Sequence, residues 1–72
     1  MYLITIKNDL ENHTFKLNEE EANSAWQEIN YCLEGKIEFV TLKDEKSEVI
    51  FSTEVLKNYK LAKDKETEII IF

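Results

Sequence analysis

The chain has no arginine and no proline, and it has one glycine, one cysteine and one histidine. Most of these shortages exclude something. Arginine is the preferred bidentate donor to phosphate and guanine, so its absence removes the commonest nucleic-acid contact. A single cysteine, Cys32, cannot close a disulfide within the chain. One Cys and one His do not supply the four ligands of a structural zinc site. With Gly35 as the only glycine, a glycine-rich phosphate loop cannot be built. No apolar run approaches the roughly 18–20 residues of a membrane span. The lone thiol and the lack of a signal-peptide pattern lead us to expect a reducing, cytoplasmic setting. The missing proline decides nothing.

What is present bounds the answer further. Seventy-two residues make one domain, 1–72. A domain of that size buries only about 60% of its unfolded surface. Such domains lean on disulfides, metals or oligomerisation, and here oligomerisation is the aid that remains. The apolar fraction of 43% is that of a globular chain rather than a disordered one. Fifteen Asp and Glu against nine Lys give a net charge of −6. That sign opposes direct binding to DNA, RNA or an anionic membrane. It permits binding to a basic protein surface, and the alternative is charge that serves solubility alone.

The pattern along the chain predicts an α+β domain. In "MYLITIK", Tyr2, Ile4 and Ile6 share one strand face. "NDLEN" is a turn, and "HTFKL" returns with His13, Phe15 and Leu17 on one side. Asn18 is an N-cap residue, and Glu21 stands where a capping-box glutamate reaches back to it. Glu19, Glu20 and Glu21 fill the first turn, where the helix dipole favours negative charge. Leu17 and Ala22 take the places of a hydrophobic staple. Ala22, Ala25, Trp26, Ile29 and Leu33 form one apolar stripe, and Gly35 falls at the C′ position. The helix is therefore 19–34.

"KIEFVTL" and "EVIF" form a second hairpin around the turn "KDEKS". "STEVLKN" is one helical turn, with Val55 and Leu56 packing down. "YKLAK" and "TEIIIF" make a third hairpin turned by "DKE". The expected architecture is a mainly antiparallel sheet of two or three hairpins with the helix packed on one face. Its order is β-β-α-β-β-short turn-β-β. One helix covers one face, so the other would expose Leu3, Val40, Leu42, Ile50, Ile70 or Phe72. A homodimer, formed face to face or through the last strand's edge, would cover them. The alternative is a sheet curled enough to enclose its own core.

Chemistry-bearing residues are few. His13 has Asp9 or Glu11 near it across the turn, but an isolated His at a strand start reads as a surface residue. Cys32, near the helix C-terminus, reads as packing, because that end raises a thiol's pKa. Asp44 and Glu45 lack the glycine and alternating acids of a calcium loop. We expect no enzyme activity, no metal and no cofactor. The aromatic residues read as core, except Tyr31, which lies off the apolar stripe. The candidate partner-binding set is Glu20, Glu28, Tyr31 and Glu34 on the helix, Asp44, Glu45 and Glu48 at the second hairpin, and Asp64, Glu66 and Glu68 at the third. Carboxylates spaced on a rigid scaffold can imitate a row of phosphates, although interleaved lysines such as Lys43, Lys46 and Lys63 dilute the stripe.

The layout "MYLITIKN…HTFKLNEEEANSAW…IEFVTLKDEKSEVIF" resembles small acidic proteins of Gram-positive bacteria and their phages. The likeness spans about residues 1–56 and leaves out the final hairpin. In size and charge the chain is similar to the staphylococcal phage inhibitors of the host DNA sliding clamp. That resemblance implies a phage-encoded, non-enzymatic inhibitor, acting in the host cytoplasm, that blocks a basic DNA-binding surface. It carries over no individual contact residue. The reading beside it is a self-associating structural or regulatory module with no DNA-related partner.

Overall fold

A computed structural model describes residues 1–65 of the chain. The expected last strand "TEIIIF", with Glu66, Glu68, Ile70 and Phe72, lies outside the described residues. Strand β1 (Tyr2–Lys7) buries Ile4 and Ile6 on one face and carries Leu3, Thr5 and Lys7 on the other. The turn after it is closed by Asn8, whose Oδ1 accepts from the Leu10 and Glu11 amides at 2.9 and 2.7 Å. This is the local bonding that makes asparagine a turn residue. Strand β2 (Asn12–Leu17) returns antiparallel, with Ile4 opposite Phe15 and Ile6 opposite His13.

Helix α1 (Glu19–Leu33) has both ends marked as its sequence predicts. Asn18 Oδ1 accepts from the Glu21 amide at 2.8 Å. Among the described residues the Glu21 carboxylate does not reach back, so only half of the capping box forms. At the other end Gly35 takes a φ of +80°. The Lys36 amide donates to the Tyr31 carbonyl at 2.9 Å, and the Gly35 amide donates to that of Cys32 at 3.1 Å. This pair of bonds is a Schellman motif, which needs the left-handed conformation that glycine adopts freely.

Strands β3 (Phe39–Lys43) and β4 (Glu48–Ser52) form the second hairpin. A single turn, α2 (Thr53–Leu56), follows with Ser52 Oγ accepting from the Val55 amide at 3.3 Å. Leu56 is buried, whereas Val55 faces solvent, so only one of the expected pair packs down. Strand β5 (Lys60–Lys65) starts one residue later than expected and runs through Asp64 and Lys65, where a turn was predicted. It pairs antiparallel with β1, on the side opposite β2, so a late strand joins the sheet of the first hairpin.

Among the described residues the strands make two sheets, β2-β1-β5 and β3-β4, rather than one. This corrects the expected exposed face. Val40 and Leu42 are fully buried, and it is Phe39 and Ile50 that face outward, at 57% and 63% exposure. The second hairpin forms its own sheet and turns Val40, Leu42 and Phe51 inward against α1. Ala22, Ile29 and Cys32 of α1 then share one core with Ile4, Ile6, Phe15, Val40, Leu42, Phe51 and Leu56. Neither a single open sheet nor a single curled one describes this core, which two sheets share with α1 and α2. Leu3 is half-buried.

Ile29 sits fully buried in that core. Truncating a buried isoleucine to alanine costs about 2–5 kcal/mol. A domain this small holds only about 3–5 kcal/mol from its core. Ile29→Ala is therefore expected to remove most of the stability, read as the urea midpoint.

Candidate protein-binding surface

Helix spacing sorts the α1 acids by task. The apolar stripe of Ala22, Ile29 and Cys32 faces the core, so Tyr31 and Glu34 fall on the opposite side, and Glu20, also off the stripe, stands in the first turn. Glu21 and Glu28, seven residues apart, share the flank that looks toward β3. A groove of about 370 Å³ runs between that flank and β3. Glu20, Glu21 and Glu28 stand along one wall, Thr41 and Lys43 along the other, with Leu17, Ala25 and Leu42 beneath. A second depression of about 760 Å³ adjoins it through Leu17, Glu21 and Lys43 and reaches Asp44 and Glu45 on the β3–β4 turn. Together they form a continuous face from Glu28 to Glu45. Among the described residues Glu20, Glu21, Glu28 and Glu45 take part in no ion pair.

The other candidates are disposed differently. Asp44 is consumed by its own surroundings. Its Oδ1 accepts from the Lys46 and Ser47 amides and from the Ser47 hydroxyl, at 2.9, 2.8 and 3.2 Å. Its Oδ2 accepts from the Lys16 amide at 3.1 Å. These amide bonds, that of Lys16 foremost, hold the carboxyl below the usual aspartate range. Glu48 pairs with Lys43 at 3.8 Å. Tyr31 and Glu34 form a separate cluster at the end of the helix. Lys36 Nζ lies 3.1 Å from the Glu34 carboxylate and 5.3 Å from the Tyr31 ring centre, and Gln27 donates to the Tyr31 hydroxyl at 2.7 Å. Asp64 sits opposite Leu3 in the sheet register, on β5 and away from the α1 groove. Glu66 and Glu68 lie outside the described residues.

The structure thus gathers Glu20, Glu28 and Glu45 and adds Glu21, whose place in the sequence marks it as a capping residue. The signal for Glu21 was its seven-residue spacing from Glu28. Among the described residues no group of three His, Cys, Asp or Glu side chains is arranged to hold a metal ion. No helix among them is long and apolar enough to cross a membrane.

His13 has a carboxylate neighbour, as its position suggested, and that neighbour is Glu11. His13 Nε2 lies 3.5 Å from Glu11 Oε2, and the Tyr59 hydroxyl donates to the same oxygen. The His13 ring meets the edge of Phe51 at 5.5 Å, and Phe51 meets Tyr59 at 5.9 Å. This cluster fastens the first turn to the chain entering β5. Cys32 is fully buried, with its sulfur 3.4 Å from Thr53 Oγ1, and Thr53 donates to the Cys32 carbonyl at 3.0 Å. It packs and is shielded from solvent.

Compared with known proteins, the chain matches no family model, no curated protein and no solved structure.

The Glu11–Tyr59 bond sets a pH dependence. The bond from Tyr59, and then that from His13, lowers the Glu11 pKa from 4.5. The Glu11 carboxylate raises the Tyr59 pKa from 10.0. A lowered carboxyl pKa contributes stability above its unfolded value, lost as pH falls through the folded one. A raised phenol pKa contributes stability below its unfolded value, lost as pH rises through the folded one. Tyr59→Phe is therefore expected to lower the urea midpoint most between about pH 5 and 9. The gap from the parent protein should shrink on both sides of that window.

Proposed function

We propose that this chain is a non-enzymatic, protein-binding inhibitor that occupies a basic DNA-binding surface of a DNA-transacting protein, such as a replication sliding clamp. It acts in the cytoplasm, that of the host if the chain is phage-encoded. The observation that carries this reading is the face along α1 and the β3–β4 turn, where Glu20, Glu21, Glu28 and Glu45 stand without ion-pair partners among the described residues. The net charge of −6 supports it, because such a chain approaches a basic partner under long-range attraction. A helix and a hairpin tip hold the carboxylates at fixed spacing, so little ordering is needed on binding. Lys43 in the groove wall limits how far the stripe can imitate a phosphate backbone.

Capture from bacterial lysate at about 50 mM and about 500 mM salt tests the reading, since exposed charge pairs are screened over that range. Nucleic-acid-binding proteins should be retained at the lower salt and released at the higher. A Glu20→Lys, Glu28→Lys double variant should retain at least about tenfold less. Capture that is indifferent to salt, or dominated by proteins with no nucleic-acid role, would overturn it.

A second reading is favoured by the outward face of the β3-β4 sheet. Phe39 and Ile50, both more than half exposed, are diagonal neighbours across the hairpin. On this reading the chain is a self-associating module, a homodimer joined through that face. The parent protein should then sediment as a dimer at tens of micromolar, and Ile50→Lys should return it to monomer. A parent that is monomeric at that concentration removes this reading.

A further inference from the structure

Among the described residues strand β2 is an outer strand of its sheet, with β1 as its one ladder neighbour. In an antiparallel ladder every second amide points away from the paired strand. The Lys16 amide is an outward one, because it donates to Asp44 across the gap to the β3–β4 turn. By the same alternation the amides of Thr14 and Asn12 point outward. A row of outward amides and carbonyls is a template on which a further strand can assemble. The opposite outer strand, β5, carries Lys60, Lys63 and Lys65, the kind of charge that discourages pairing. β2 carries Lys16 as its one lysine and has no carboxylate.

Asp44 stands where such an added strand would place a carbonyl. Three bonds from its own turn fix one carboxylate oxygen, and this aims the other at the Lys16 amide. We infer that Asp44 guards the β2 edge, holding the β3–β4 turn over it so that β2 cannot pair with β2 of a second copy. A second copy is the occupant that the strand's own residues fit. Outward amides must meet outward amides, and of the registers that allow this the one centred on Thr14 overlaps the most of the strand. Thr14 then faces Thr14, Asn12 faces Lys16, and His13 faces Phe15. Threonine pairs favour such contacts, and no carboxylate meets a carboxylate. In a chain of net charge −6 this is a strand that two copies can bring together. The role assigned to Asp44 is independent of the acidic α1 face and of the Phe39–Ile50 face.

Asp44→Asn is the discriminating variant. Its side-chain oxygen can still accept from Lys46 and Ser47, while its amide group cannot accept from Lys16. At concentrations low enough to keep the variant monomeric, the Lys16 amide should exchange with solvent at least about tenfold faster than in the parent. At about a hundred micromolar its weight-average mass should rise above that of the parent at the same concentration. Adding Thr14→Pro deletes the central outward amide without touching the β1 ladder, and the mass should return to the parent's. Unchanged Lys16 exchange, an unchanged mass, or a mass increase that survives Thr14→Pro would each overturn the inference. The last outcome also marks association caused by unfolding rather than by the strand edge.

Discussion

The contact of α1 with two sheets at once holds this domain together. The chain has neither a disulfide nor a metal-binding cluster among its described residues, so apolar burial must supply the stabilisation. Ala22, Ile29 and Cys32 lie against Ile4, Ile6 and Phe15 of one sheet and Val40, Leu42 and Phe51 of the other. Remove the helix and both sheets lose the element that their apolar faces share. A two-stranded hairpin alone is marginal in water, so β3-β4 depends on this contact more than the three-stranded sheet does.

Polar joints then fix how the second hairpin sits. At one end of β2, Asp44 reaches the Lys16 amide, and at the other, His13 and Tyr59 close around Phe51 of β4. Thr53 ties the entry of α2 to the end of α1 through the Cys32 carbonyl. These bonds set two groups of acids apart. Glu11 and Asp44 are bound to their surroundings and shape the chain. Glu20, Glu21, Glu28 and Glu45 are left facing water along one side, and the proposed function rests on them. The same residue type therefore serves two ends, and hydrogen-bond geometry separates them.

The acid-capped helix was legible because its signals are local. Asn18, the three glutamates that follow and Gly35 act within a few residues of where they stand, so spacing alone exposes them. The hairpins β1–β2 and β3–β4 were legible for the same reason. The α1 acids could be placed in part, since helical periodicity sets Glu20 and Glu28 off the buried stripe. Glu21 was missed because its capping role explained it already. The orientation of β3 was misread because both of its faces are apolar, with Phe39 on one side and Val40 and Leu42 on the other. Period-two alternation cannot choose between two apolar faces. The role of Asp44 was equally hidden, because its decisive partner, Lys16, lies twenty-eight residues away.

By itself the sequence determined the α+β class, the helix with both of its caps, the strand pairs joined by short turns and the acidic balance of the surface. Each follows from interactions between residues close in the chain or from composition. Only the tertiary structure decided that β5 joins the first sheet, that the second hairpin forms its own sheet and that Phe39 and Ile50 face outward. It also decided which carboxylates remain unengaged. These outcomes depend on contacts between segments distant in the chain. Such contacts are chosen by how a whole set of apolar faces can be covered at once, and no single segment carries that information.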